Sequence, residues 1–449
     1  MRPELVELAQ RIVTEAGLRG ATDCECVIRE GRELSVSVRL GETESIKQAE
    51  GKSLGIRVFR GQQAGTTYSS DLHWPAVEAM IDSALAIAAA ASPDPDAGLP
   101  EASEMGVSAP DLGLYFPSTA MIAPEEAVAW AQRAERAALD CDPRLTNSDG
   151  GGFECGEGGK LLVNSRGFVG AVRASNCAVS AVPIASENGK MQRDYWYSAA
   201  RRLGDLESPE SVGRKAASRT LRRLGARKAA TARVPVVFDP QTAASLLGHW
   251  LDAVSGESVY REASFLTGKL GGMVAARELT LVDDGTIVGG FGSAPFDGEG
   301  VPTRRTVVIG EGRLESYLLN CYAARKLGLR TTGNAARALA GAPGVSCGNL
   351  RLTPGTASPE EIIASVTNGL YVTQFLGFGV NPVTGDYSRG ACGIWIENGS
   401  LAYPVEEITV AGNLLEMFRN VAAVGNDLVV RSAVSAPTLL IEGLTIAGS

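Results

Sequence analysis

Histidine is scarce in this 449-residue chain, and its positions restrict the chemistry that the chain can perform. The only two histidines, His73 and His249, lie 176 positions apart. A zinc peptidase helix needs two His within one or two turns, so the chain cannot supply that pair. Any Ser–His or Cys–His nucleophile pair would have to use one of the same two residues. His249 stands beside Trp250 on a short predicted helix, where a partly buried role and a place in a cleft both remain open.

Cysteines and acids form no complete site by spacing alone. The eight cysteines include no Cys-x-x-Cys pair, and Cys24 and Cys26 offer two ligands on one strand face without a clear third. Asp297 and Glu299 lie in a Gly-rich stretch typical of hairpin tips, and the sequence cannot show whether they form a hydrolytic carboxylate pair. The Gly-x-Ser-x-Gly match at 344–348 is interpreted as chance, because no His follows it.

Charge and hydropathy exclude broad classes of function. The chain has 42 basic and 51 acidic residues, a net charge of −9, so a whole-chain basic footprint for nucleic acid is absent. The longest apolar run, at 84–91, is far shorter than the roughly 20 residues of a membrane span. The first 17 residues predict an amphipathic helix rather than a signal peptide. We therefore expect a cytoplasmic protein without membrane association or direct nucleic-acid binding.

Two predicted regions must position these residues, and together they indicate an α+β fold. Alternation of apolar and polar residues over 25–70 predicts short antiparallel strands with Gly turns, and a second strand-rich stretch covers about 144 to 200. Helices are predicted to flank these stretches, at 74–92, 123–140 and 208–226. Residues 1–228 are therefore predicted to form an N-terminal α/β region of antiparallel strands and helices, with sub-halves of about 1–100 and 120–228.

The remaining residues, 229–449, predict a β-rich C-terminal domain with frequent glycine. This domain is predicted to open with a strand, followed by a short helix over 241–256. Two or three further helices are predicted around 315–327, 358–368 and 412–420. The basic run at 222–235 is interpreted as a helix end followed by a linker, with cations placed favourably on the helix dipole.

Several segments of the C-terminal half resemble those of one known family. They are LTGKLGGMVA at 266–275, LVDDGT at 281–286, PFDGEGVPTRRT at 295–306, TTGNAAR at 331–337 and the long block at 369–399. Together they are similar to the PmbA/TldE branch of the TldD/PmbA family, the peptidase-related modulators of DNA gyrase. The resemblance covers nearly the whole chain, and it implies an N-terminal α/β region followed by a β-rich domain of TldD/PmbA type.

The resemblance also implies where a metal site would stand. The TldD branch carries zinc on a helix with the motif His-Glu-x-x-x-His, and a Cys near the C-terminus adds a ligand. An ungapped match places the first His at Leu247, the Glu at Gly248 and the second His at Asp252, with His249 as an offset remnant. The matching C-terminal segment, 424–428, contains no Cys. We therefore expect no catalytic residue and no metal in this chain.

A partnership follows from the resemblance as the leading hypothesis. TldE-type chains look like paralogous partners of a TldD-type zinc peptidase subunit, which would hold the zinc while the pair degrades unfolded peptides or matures precursor peptides. We expect the peptide channel to be lined by Asp297, Glu299, Arg304 and Arg305. One alternative is a regulatory or binding protein that acts on gyrase or on a toxin–antitoxin pair without peptidase activity. Another is an autonomous hydrolase that uses the acids Asp297 and Glu299.

Overall fold

A computed structural model describes residues 2–108 and 111–448 and shows helices packed on extended, mainly antiparallel sheets. The α+β fold class is confirmed. The N-terminal region contains the helices α1 Pro3–Leu18, α2 Trp74–Ala90, α3 Pro117–Ala120, α4 Pro124–Leu139 and α5 Pro209–Leu221. Its strands are β1 Asp23–Arg39, β2 Glu42–Arg60, β3 Gln63–Ser69, β4 Leu145–Asn164, β5 Val169–Glu187, β6 Lys190–Arg193 and β7 Trp196–Ala200.

One seven-stranded sheet unites the two N-terminal sub-halves. Its order is β3-β2-β1-β4-β5-β6, with β7 paired to β5, and all of these pairings are antiparallel. Along β1, Cys24, Cys26 and Ile28 pack in the core with α1 and α2, whereas Leu34 and Val36 pack in the core with α4 and α5. β1 therefore serves both helix pairs, as does β4 with Phe153 and Leu161, because alternate residues along a strand share a face.

The strands of this sheet are longer than the sequence predicted. β1 and β2 have 17 and 19 residues, and the extended backbone continues through glycines that were interpreted as turns. Gly31 lies opposite Gly51 on β2 and Gly158 on β4, so three glycines meet in mid-sheet. The prediction of a turn was therefore wrong at Gly51, because pairing with β1 keeps this glycine extended despite its weak preference for a strand interior.

The C-terminal region is β-rich, as predicted, and its helices are short apart from the first. The helices are α6 Pro240–Val254, α7 Gly256–Tyr260, α8 Cys321–Leu327, α9 Pro359–Ala364 and α10 Leu414–Arg419. The strands are β8 Ala232–Phe238, β9 Leu281–Asp284, β10 Arg305–Gly310, β11 Arg313–Leu314, β12 Ala335–Ala336, β13 Gly344–Val345, β14 Leu350–Leu352, β15 Asn368–Leu376, β16 Asp386–Glu397, β17 Ser400–Asn413, β18 Val421–Val424, β19 Val434–Ser435 and β20 Leu439–Ala447.

The C-terminal strands form two main sheets around a single large core. The six-stranded sheet has the order β17-β16-β15-β8-β20-β18, and an added β17–β20 pairing closes five of these strands into a ring. A five-stranded sheet has the order β11-β10-β9-β14-β19. Helix α6 contributes Leu246, Leu247 and Trp250 to the core between them. Across the described ranges, no helix is both long and apolar enough to span a bilayer.

Candidate functional site

A cavity of about 780 Å³ opens where the N-terminal region meets the C-terminal domain. One wall comes from β7 and α5, and the other comes from the start of α6, from β15 and from the segment after β18. Its lining residues are Trp196, Tyr197, Lys215, Ser218, Arg219, Arg222, Asp239, Pro240, Gln241, Ala244, Ser245, Tyr371, Asp427, Val429, Arg431, Ser432 and Val434. A cleft of this size between two regions, with aromatic walls and a few charged groups, is typical of a ligand site.

The sequence of α6 explains which of its faces meets this cavity. Asp239 caps the helix by accepting a hydrogen bond from the Thr242 backbone N–H at 2.8 Å, and Pro240 occupies the first turn. Gln241, Ala244 and Ser245 share one face, at the spacing of neighbouring helical residues, and this face lines the cavity. The segment that resembles the family's metal helix is therefore a wall of the cavity.

A buried ion network fixes the floor of the cavity and joins the two regions. Arg219 on α5 lies 3.4 Å from Asp194 and 3.2 Å from Asp239, and it donates a hydrogen bond to the Thr373 carbonyl at 2.9 Å. Burial raises the pKa of Asp239, while the neighbouring Arg219 acts in the opposite direction. Because these charges are removed from water, the pairing sets the position of α5 against the start of α6.

His249 lies on the same helix with an unsatisfied ring nitrogen. Its Nε2 atom is buried and has no hydrogen-bond partner among the described residues, and its ring meets Tyr387 edge-on at 6.0 Å. Arg389 lies nearby and donates a hydrogen bond to the Ser245 hydroxyl at 3.0 Å. Burial and the Arg389 charge lower the pKa of His249 below its usual range, so this histidine is held neutral at pH 7.

The structure separates the four residues predicted for a degenerate metal-site helix. Leu247 is fully buried in the core, Gly248 and His249 are half-buried, and Asp252 is exposed. If His249 takes the place of the second His of the motif, its first His and Glu fall on Ala244 and Ser245, which line the cavity. That register agrees better with the geometry than the one counted to Leu247, and the assignment itself stays a prediction.

The four residues predicted to line a peptide channel lie apart from this cavity. Asp297 accepts hydrogen bonds from the backbone N–H groups of Glu299, Val301 and Ala335 at 2.8 to 3.0 Å. Glu299 accepts one from the Cys321 N–H at 2.8 Å, and both acids are buried. These acids hold their turn together. Their place in a channel wall stays a prediction, as it does for the exposed pair Arg304 and Arg305.

Comparison with known proteins settles the family. Three domains described as PmbA/TldA metallopeptidase domain 1, central domain and C-terminal domain match residues 24–88, 118–224 and 231–448. Metalloprotease PmbA of Escherichia coli O157:H7 is 40% identical over 445 residues, 99% of this chain and 96% of that protein. The chain belongs to the PmbA/TldD metallopeptidase family. The resemblance predicted from the sequence segments is therefore confirmed.

Solved structures extend the likeness of this PmbA/TldD family member to the whole fold. A protein from Bacteroides thetaiotaomicron described as a candidate modulator of DNA gyrase superposes with a TM-score of 0.92 at 28% identity over the full length of both chains. TldE of Thermococcus kodakarensis superposes with a TM-score of 0.88 at 22% identity and covers 98% of this chain and all of that one. The latter similarity shows a shared fold.

The donors near α6 do not fit a zinc ion, although the family is named for metallopeptidases. Within residues 2–108 and 111–448, no three His, Cys, Asp or Glu side chains converge in a way that could hold a metal. Asp427, in the segment that matches the C-terminal ligand region, already accepts two hydrogen bonds from Thr438. The nearby Arg389 guanidinium also opposes a cation beside His249.

Sequence reasoning missed the cationic and aromatic residues of the cavity. Arg222 was interpreted as part of a helix end, yet it lines the cavity together with Arg431 and Trp196. The Arg431 guanidinium stacks 3.7 Å from the centre of the Trp196 ring. Only the basic run beginning at Arg222 gave a signal, because sequence spacing does not show that residues 196, 222 and 431 line one cavity.

Proposed function

We propose that this chain is a non-catalytic, peptide-binding subunit of a cytoplasmic peptidase complex whose zinc is held by a TldD-type partner. One observation carries the proposal: the segment that resembles the family's metal helix lines the cavity with Gln241, Ala244 and Ser245, none of which is a zinc ligand. In the register set by His249, the methyl group of Ala244 and the hydroxyl group of Ser245 stand where zinc hydrolysis requires a His and a Glu. Arg389 donates a hydrogen bond to that Ser245 hydroxyl, and its positive charge disfavours a cation beside this face of α6.

The same cavity keeps features suited to an unfolded peptide or a precursor peptide. Its volume of about 780 Å³ accommodates several residues of extended chain, and Trp196, Tyr197 and Tyr371 supply flat contact surfaces. In this proposal the chain binds part of the peptide through non-covalent contacts alone, and the partner subunit cleaves the peptide. The Ser245 and His249 side chains position neighbouring groups and transfer no proton.

The test is reconstitution with a TldD-type zinc peptidase subunit and an unfolded peptide substrate. We expect the mixture to cleave the peptide and this chain alone to leave it intact. Ala244→Trp, which fills the cavity, should reduce cleavage by the mixture at least tenfold while the two chains still associate. The matched control is Ala86→Trp on the exposed face of α2, which should leave cleavage unchanged.

Two other outcomes would point elsewhere. Recovery of gyrase or of a toxin–antitoxin pair with the purified chain, without any peptidase subunit, would favour the regulatory alternative. Cleavage by the chain alone, abolished by Asp297→Asn, would favour an autonomous hydrolase. The burial of Asp297 and its three backbone hydrogen bonds argue against that second alternative, because a catalytic carboxylate must reach its substrate.

A further inference from the structure

The charged groups of the cavity divide into those with partners and those without. Four of the six are satisfied within the chain. Lys215 lies 2.7 Å from Glu207, and Arg219 is paired with Asp194 and Asp239. Asp239 also caps α6, and Asp427 accepts two hydrogen bonds from Thr438 at 2.8 and 2.9 Å. In the described structure the acids of the cavity therefore form their hydrogen bonds and ion pairs with groups other than Arg222 and Arg431.

The two remaining cations are Arg222 and Arg431. The Nε and Nη2 atoms of Arg222 are buried, and no described residue accepts a hydrogen bond from them. Arg431 stacks on Trp196 and Tyr197, at 3.7 and 5.1 Å from the ring centres, which orients its guanidinium but leaves its N–H groups free of any ion pair in the described structure. A buried guanidinium donor without an acceptor is costly, and an anionic ligand would satisfy it with charge-assisted hydrogen bonds.

Planar anions match this arrangement best. A guanidinium presents parallel N–H groups that pair with both oxygens of a carboxylate, and the aromatic walls suit the chain that carries it. A peptide offers carboxylates from two sources, its C-terminus and its acidic side chains. On the basis of the proposed peptide-binding function, we propose that Arg222 and Arg431 bind a carboxylate of the peptide and so select acidic or C-terminal segments.

The test uses the full chain and three N-acetylated probe peptides in isothermal titration calorimetry. The first is Ala-Ala-Phe with a free C-terminal carboxylate, the second is its C-terminal amide, and the third is an Ala-Ala-Phe-Glu amide. We expect the first or the third to bind at least tenfold more tightly than the second, since charge-assisted hydrogen bonds contribute about that much. Preference for the first identifies the C-terminus, and preference for the third identifies an acidic side chain.

Variants connect this preference to the two arginines. Arg222→Gln and Arg431→Gln should each lower the affinity of the preferred peptide about tenfold or more, and Arg431→Lys should restore part of it. Arg60→Gln, an exposed change at the end of β2, should have no effect. Melting curves identify any variant that fails to fold, and the other arginine then decides the test. Equal binding of all three peptides, no binding of any, or unchanged affinity in folded variants would overturn the proposal.

The outcome is separable from that of the proposed function. If the chain selects peptides with a carboxylate but does not support cleavage by a TldD-type partner, the proposed carboxylate site stands and the proposed peptidase complex is rejected. If the chain supports cleavage by the partner but binds peptides with and without a carboxylate equally, the proposed complex stands and the role of Arg222 and Arg431 is rejected.

Discussion

At the scale of single residues, the molecule uses buried charge in two ways. The carboxyl groups of Asp297 and Glu299 accept hydrogen bonds from four backbone N–H groups, which fixes a turn. Among the described residues, the buried Nε and Nη2 atoms of Arg222 have no acceptor and Arg431 forms no ion pair, and both side chains line the cavity. Spacing in the sequence identified the first pair and not the second, because only the fold places Arg222 and Arg431 in the lining of one cavity.

Asp283 provides a pH-dependent contribution to stability. It is 1% exposed, its Oδ2 atom accepts a hydrogen bond from Asn334 at 2.7 Å, and burial raises its pKa to about 6. Since the folded-state pKa exceeds the unfolded value, the stabilisation is complete below about pH 4 and is lost as the pH rises through 6. We expect this term to lower the free energy of unfolding by roughly 2–3 kcal/mol over that window.

Denaturant titrations at pH 4, 5, 6 and 7 measure the effect. Asp283→Asn should remove this part of the pH dependence, whereas Asp140→Asn, at an exposed position, should preserve it. An identical slope in wild type and Asp283→Asn would contradict the assignment.

At the scale of elements, helices were predicted more accurately than strands. The helix predicted at 123–140 spans Pro124–Leu139, because its amphipathic pattern and its proline mark it locally. The strands β1 and β2 exceed the prediction because pairing partners far along the chain keep glycines extended. The approach of α5 to β7 and α6, which forms the cavity, depends on tertiary packing and has no local signature.

Close packing of α4 on α5 depends on one glycine. A Cβ atom at Gly213 would lie 2.2 Å from the Ala134 carbonyl oxygen, so the two helix backbones approach each other at that point. Gly213→Ala should lower the free energy of unfolding by about 1–3 kcal/mol despite the better helix propensity of alanine. Gly17→Ala on α1, where a Cβ meets no atom within 4 Å, should be neutral or stabilising by up to about 1 kcal/mol. Thermal or urea unfolding compares the two, and equal effects would contradict the packing argument.

At the scale of the whole molecule, a buried ion cluster holds the N-terminal sheet against the C-terminal domain. Glu25 on β1 lies 2.8 Å from Arg337 and 3.3 Å from Arg57, with all three side chains almost fully buried. Glu25→Gln leaves two buried guanidinium groups without their counter-charge and should cost about 3–5 kcal/mol of unfolding free energy. Glu210→Gln, which breaks an exposed pair with Arg133, should cost less than about 1 kcal/mol. A small loss for Glu25→Gln in urea titrations would show that the cluster does not hold the interface.

The division of labour between two chains is the central claim, and the location of zinc tests it most directly. The purified chain, the TldD-type partner and their complex are each analysed for zinc per chain and assayed on one unfolded peptide. We predict no stoichiometric zinc in this chain, zinc in the partner, and full cleavage only by the complex. One zinc bound per molecule of this chain, together with cleavage in the absence of a partner, would contradict the claim.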